Sequence, residues 1–158
     1  AMRAVSGAQI CFQNGGGIRA SIEAGPITMA DILKVLPFGN EVATIELTGQ
    51  QIMQVLAIAA AKEPGDGGFL QLSGLKVVYS GGKVESATLA DGSPLDPAGV
   101  YRVGASDFLM QGGDGYTPFT EGRNLYMVGT KLDTAVVSYL TEHGTVSPQV
   151  EGRIVIRQ

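Results

Sequence analysis

Residues 108–116 read FLMQGGDGY, which sets one carboxylate, Asp114, among glycines behind an apolar and aromatic run. An ionised aspartate only accepts hydrogen bonds. It can close an Asx turn in its own loop, or take two bonds from a vicinal diol such as that of a ribose. Two phenylalanines stand beside glycine-rich stretches: Phe38 in LPFGN (36–40) and Phe108 itself. Either ring could be core, the commoner place for phenylalanine. Opposed across a gap, the two would form a slot for a flat aromatic ligand, where stacking contributes about 1–3 kcal/mol per base.

A third stretch, GGGIRA at 15–20, formally fits the dinucleotide-binding pattern G-x-G-x-x-A. The segment after it starts too late and is too short to be the helix that a pyrophosphate needs. No acidic residue closes a second strand about 20 residues further on, as ribose recognition in that fold requires. The glycines therefore serve either a structural turn or a loop whose backbone approaches a ligand closely. Arg19 tips the balance to the second, because a guanidinium fork suits carboxylate, phosphate or sugar oxygens.

Catalytic chemistry is poorly supplied. The single histidine, His143, immediately precedes Gly144 at a helix end, where a histidine commonly meets the last carbonyls and the negative pole of the helix. No CxxC, HExxH or EF-hand spacing is present, and one histidine cannot build a histidine-based metal centre. No catalytic residue and no cofactor or metal site is expected within this sequence.

The elements that must position these residues follow from pattern and punctuation. AQICFQ (8–13) reads as a largely buried strand entering the NGGG turn. ITMADILKVL carries Thr28 as N-cap with Asp31 three residues on, which predicts a short amphipathic helix ended by Pro37. EVATIELTG alternates as a strand. TGQQIMQVLAIAAAKEPG then offers a second capping box, Thr48 with Gln51, and a helical pattern that runs to Pro64. LKVVYSGGKVESATL predicts a hairpin turning at Gly81 and Gly82. DGSPLDPAG is a turn-rich loop, YRVGAS another strand, DTAVVSYLTEHG a helix from near Asp133 to Gly144, and EGRIVIRQ a terminal strand. Hairpins are present and crossover helices are irregular. The fold class expected is α+β, a layered sandwich of mixed sheets with flanking helices, in preference to a doubly wound parallel fold.

With 158 residues, of which 44% are apolar, the chain (1–158) has the length and material for one domain. Eleven Lys and Arg against fifteen Asp and Glu give a net charge of −4, with the basic residues scattered. Duplex nucleic acid is thereby an unsuitable partner, since phosphate contacts need a concentrated positive face. No apolar run approaches the length of about 18 residues that a membrane-spanning helix takes. The lone Cys11 sits in an apolar run and reads as a buried small hydrophobe. Ala1–Met2 has neither the basic flank nor the apolar core of a secretory signal, so any such signal is expected outside these residues.

NGGGIRASIEAGPITMADILKVLPFGN, GGFLQLSGLKVVY and FLMQGGDGY, in this order and at these separations, closely resemble the C-terminal domain of the 5'-nucleotidase family. The likeness runs from about Ala8 to Ile156. It implies a substrate-binding domain of an exported, periplasmic or cell-surface nucleotide hydrolase, with a nucleoside or nucleotide as small-molecule partner. It further implies a base held between Phe38 and Phe108, ribose hydroxyls bound by Asp114, and Arg19 on the ribose or phosphate side. Gly67 would lie with its backbone against the base. Family branches place a base-assisting asparagine at the position of either Asn14 or Asn40, and this chain carries both. The resemblance also implies that two divalent metals belong to an N-terminal phosphoesterase domain, expected outside this sequence, so the residues above are expected to be binders and no hydrolysis is expected from them alone. The resemblance leaves open relatives that act on nucleotide sugars, cyclic nucleotides or thiosulfonates, and a surface module that only interacts.

Overall fold

The computed structural model describes residues 1–157. It opens with a helix that the sequence reading did not anticipate, α1 (Met2–Ser6), whose five residues are too few to display a period. Gly7, at φ 63°, ends it by donating its N–H to the Arg3 carbonyl. The first apolar run is β1 (Ile10–Asn14), followed by a single 3-10 turn at Gly15–Gly17. The absence of a long helix after the GGG turn agrees with setting aside the dinucleotide pattern.

Helix α2 (Met29–Val35) begins at the predicted capping box: Thr28 Oγ1 accepts from the Asp31 N–H, and the Asp31 carboxylate accepts from the Thr28 N–H at 2.8 Å. These bonds from Thr28 hold the Asp31 carboxyl below the usual carboxylate range. Strand β2 (Glu41–Thr48) leads into α3 (Gly49–Ala60) through the second box, Thr48 with Gln51. The helix stops at Ala60, four residues short of Pro64. The Lys62 N–H turns back to the Ala59 carbonyl, and Glu63, directly before a proline, is sterically kept from the helical region.

After α3 come β3 (Leu70–Ser73), β4 (Leu75–Ser80) and β5 (Lys83–Leu89). The hairpin between β4 and β5 turns at Gly81 and Gly82, φ 55° and 73°, the pair of positive values a tight two-residue turn requires. Then follow β6 (Val100–Ser106), α4 (Asp107–Met110), β7 (Arg123–Lys131), α5 (Leu132–His143) and β8 (Ile154–Arg157). Strand β7 escaped the sequence reading because it lies at a sheet edge and is exposed along most of its length, so no buried alternation marks it.

The strands form a five-stranded sheet in the order β3-β1-β6-β2-β7 and a three-stranded sheet in the order β5-β4-β8. Both are mixed: β1 runs parallel to β6 and β4 parallel to β8, and the other pairings are antiparallel. Helix α3 packs against β2 and β5, between the sheets, and buries Ile52, Val55, Leu56 and Ala59 there. Helices α1, α2 and α5 pack together on the other face of the larger sheet. This is the α+β sandwich expected. Alternation along β1 divides the two sides. Phe12 enters the main core, while Cys11 and Gln13 line a cavity with Ile32 and Val35 of α2 and Val136 of α5. Cys11 is buried, and desolvation pushes its thiol up to about 11.

Candidate functional site

The loop carrying Asp114 is fixed from below. Tyr116 is fully buried, and its hydroxyl donates to the Gly68 carbonyl at 2.6 Å, tying the GGDGY loop to the loop before β3. Burial pushes the Tyr116 hydroxyl well above the ordinary tyrosine value, so it remains a donor. Above this anchor Asp114 adopts the left-handed conformation at φ 56°, which aspartate tolerates better than most side chains. Its carboxylate is held by a distant partner: Asn14 Nδ2 donates to Asp114 Oδ2 at 2.8 Å. Asn14, at the end of β1, is buried and is itself oriented, because its Oδ1 accepts from Gln13 Nε2 at 3.1 Å. Gly17 makes room for this arrangement, since a Cβ there would stand 2.1 Å from Gln13 Nε2.

The two phenylalanines lie outside the core. Phe38 is 61% exposed, on the turn between α2 and β2, and Phe108 is 41% exposed, in the first turn of α4. Asn40 Nδ2 donates to Asp107 Oδ1 at 2.8 Å, so the residue just before Phe108 is bonded to the residue two beyond Phe38. The Phe108 ring leans over Gly113, where an added Cβ would approach its Cε1 to 2.5 Å. A side chain at 113 would displace the ring or the loop.

Gly67 meets the GGG turn backbone to backbone. The Gly16 N–H donates to the Gly67 carbonyl at 2.6 Å, and a Cβ on Gly16 would stand 3.1 Å from that oxygen. Arg19 holds its backbone N–H to the Val35 carbonyl at the end of α2. Its guanidinium lies 5.9 Å from the Phe38 ring centre and donates to the Gly16 carbonyl at 3.4 Å. A cavity of about 340 Å³ opens between the GGG turn and the Gly65–Gly67 loop, with Arg19 and Asp66 on its wall.

These contacts close a circuit. It runs from Phe38 to Asn40, across to Asp107 and Phe108, over Gly113 to Asp114, across to Asn14, and back through Gly16 and Arg19 to Phe38. Six of the seven residues singled out in the sequence lie on it, and Gly67 is bonded to it through Gly16. Sequence reasoning gave no role to Gln13 or Asp107. Gln13 carries no signal beyond its place before Asn14. Asp107 does, since an acid directly after the helix-capping Ser106 satisfies free N–H groups.

Other features stand apart from the circuit. His143 Nδ1 lies 2.8 Å from the Tyr139 carbonyl and its ring stacks on Tyr139, the helix-end role expected of it. The cavity behind β1, about 310 Å³, has no carboxylate on its wall, which is made largely of apolar side chains with Cys11, Ser73, Arg3 and Arg153 among them. Among the described residues no group of three or more His, Cys, Asp or Glu could hold a metal ion, and no helix is long and apolar enough to cross a membrane.

The family described as "5'-nucleotidase, C-terminal domain" matches residues 1–121, the region that carries the whole circuit. The chain belongs to this family. The trifunctional nucleotide phosphoesterase protein YfkN of Bacillus subtilis is 37% identical over 163 residues, covering 94% of this chain and 11% of that protein. Protein UshA of Yersinia enterocolitica is 34% identical over 156 residues, with 96% of this chain and 28% of that protein covered. Among solved structures, a 5'-nucleotidase precursor from Thermus thermophilus superposes with a TM-score of 0.91 at 36% identity, over 98% of this chain and 32% of that one. The chain thus spans between about a tenth and a third of these relatives. It corresponds to a domain of 5'-nucleotidase-family enzymes, and the Bacillus and Thermus relatives carry the names of a nucleotide phosphoesterase and a 5'-nucleotidase.

Proposed function

We propose that this chain is the nucleoside-recognising domain of a 5'-nucleotidase-type phosphohydrolase. The observation that carries the reading is the closed circuit, which joins two exposed phenyl rings to an acid whose carboxylate is held from behind by a buried amide. A base stacks between Phe38 and Phe108, and the oxygens of Asp114 accept from the ribose 2'- and 3'-hydroxyls. Arg19, beside Phe38, addresses the sugar or phosphate oxygens. The backbone at Gly67 lies along the base edge.

Of the two asparagines, Asn40 is the better reader of the base. Asn14 already donates from Nδ2 to Asp114 and accepts at Oδ1 from Gln13, whereas Asn40 has its side-chain oxygen left for a donor on the ligand. The joint presence of Phe38, Phe108 and Asp114 favours a nucleoside over a thiosulfonate ligand, which has no base to stack.

Ester cleavage belongs in this reading to an N-terminal domain of the same protein, where two divalent metals would supply activated water. The residues of this chain bind and orient substrate and carry no proton in the reaction. A periplasmic, secreted or cell-surface location is part of the same proposal. Calorimetry with adenosine or AMP tests it: binding is expected and falls about tenfold in Phe108→Ala, one stacking contact's worth. Undiminished binding by the variant would remove the slot.

A further inference from the structure

Between the segments that carry the two phenyl rings lies the carboxylate of Asp107. Asp107 Oδ1 accepts from Asn40 Nδ2 at 2.8 Å, from the Glu41 N–H at 3.3 Å and from the Phe108 N–H at 2.9 Å. One oxygen therefore joins the start of β2 to the start of α4, across 67 positions of sequence. The β2–β6 ladder pairs Val42 with Ser106 beside this junction, and the two ring-bearing segments continue beyond it. Helix α4 has only four residues and is held by the Ser106 cap and by buried Leu109 and Met110, whereas residues 36–40 form a turn with Gly39 at φ 66°. At its far end the turn is also held by the Leu132 N–H donating to the Asn40 carbonyl, and the Phe38 ring lies beside the Arg19 guanidinium. Phe108 is adjacent to Asp107 and Phe38 is two residues before Asn40, so any shift of this junction moves one ring relative to the other.

We propose that Asp107 is a positioning residue, setting the gap between Phe38 and Phe108 to the thickness of one base. The inference rests on the nucleoside reading above. It predicts that the tether acts on the base and not on the sugar, because the Asp114 carboxylate, in the loop after α4, is held separately by Asn14 at the end of β1.

The test is calorimetric titration of the chain with adenosine and with 2'-deoxyadenosine. Asp107→Ala is expected to weaken both by the same factor, about tenfold, leaving their ratio at the wild-type value. Asp107→Asn, which keeps an oxygen in place, should recover most of the loss. The Asn40→Ala and Asp107→Ala changes combined should cost less than the sum of the two, as for partners in one bond. If Asp107→Ala does not fold, Asp107→Leu, which fills the volume without an acceptor, must give the same equal loss on both ligands. Wild-type affinity in the Ala or Leu variant, an altered ratio, or strict additivity with Asn40→Ala would overturn the tether. The two levels separate through Phe108→Ala. A loss there with none at Asp107 refutes the tether alone, whereas no loss at either refutes the nucleoside reading with it.

Discussion

Asn14 and Asp114 are bonded side chain to side chain at 2.8 Å across 100 positions of the chain, the first from the end of β1 and the second from the loop after α4. The bond fixes an exposed acid with a buried amide, so the carboxylate is aimed before any ligand arrives. Preorganisation of this kind lowers the ordering cost of binding.

Removing the amide should therefore be felt twice. Asn14→Ala leaves Asp114 Oδ2 without its partner and Gln13 Nε2 with only the main-chain carbonyl of residue 14, and is expected to lower stability by about 1–2 kcal/mol and to weaken adenosine several-fold. Urea unfolding and calorimetry read the two effects separately. Asn14→Asp sets two carboxylates at hydrogen-bond distance, which raises the apparent pKa of one of them. Its defect should be largest at neutral pH and ease as the pH falls and the pair takes up a proton. A defect independent of pH would mean that the side chains do not face each other.

Gly113→Ala should mimic loss of the Phe108 ring. The new methyl would meet Phe108 Cε1 at 2.5 Å and the Phe108 carbonyl at 2.6 Å, so either the ring or the loop must move. Base-dependent affinity is expected to drop about as far as in Phe108→Ala, with the two changes together no worse than one. Full affinity in Gly113→Ala would show that the ring's place over Gly113 is immaterial.

Much of this site was legible because its residues announce themselves in motifs. LPFGN, GGGIRA and GGDG place their phenylalanine, arginine and aspartate beside glycines, and the structure leaves Phe38 and Phe108 exposed, not packed in the core. Caps were legible for the same local reason: Thr28 with Asp31 and Thr48 with Gln51 are reciprocal bonds within one turn. What escaped was long-range or featureless. The pairing of Asn40 with Asp107 spans 67 positions, and nothing in either short stretch names the other. Strand β7 is an exposed edge without alternation, and α1 is barely one turn long. The end of α3 was placed too late because an apolar, alanine-rich pattern continues past the last helical residue.

The second capping box has its own prediction. Thr48→Ala removes the acceptor for the Gln51 N–H at the start of the central helix and should cost about 1 kcal/mol in urea unfolding. Because α3 lies between the sheets, the loss should appear in the whole cooperative transition and not as local fraying. An unchanged midpoint would count against the cap's contribution.

Stability should fall on the alkaline side. Burial pushes Cys11 up to about 11 from an ordinary 9.0, and Tyr79 up to about 12 from 10.0. Between pH 9 and 11 the unfolded chain therefore loses protons that the folded chain keeps, and the free energy of unfolding decreases as pH rises. The folded protein is favoured fully below pH 9 with respect to these groups. Thermal unfolding followed from pH 7 to 11 should show a falling midpoint, and Cys11→Ala should flatten the first part of the decline. A constant midpoint would contradict the burial of both groups.

In the proposed nucleoside reading, Asp114 binds a ribose diol while the phenyl rings hold the base. It is tested most directly by titrating the wild-type chain and Asp114→Asn with adenosine and 2'-deoxyadenosine in a calorimeter. Wild type is expected to prefer adenosine, and Asp114→Asn to lose affinity for adenosine several-fold more than for the deoxynucleoside, so that the preference collapses. Equal losses for the two ligands, or a preference that survives in the variant, would contradict it.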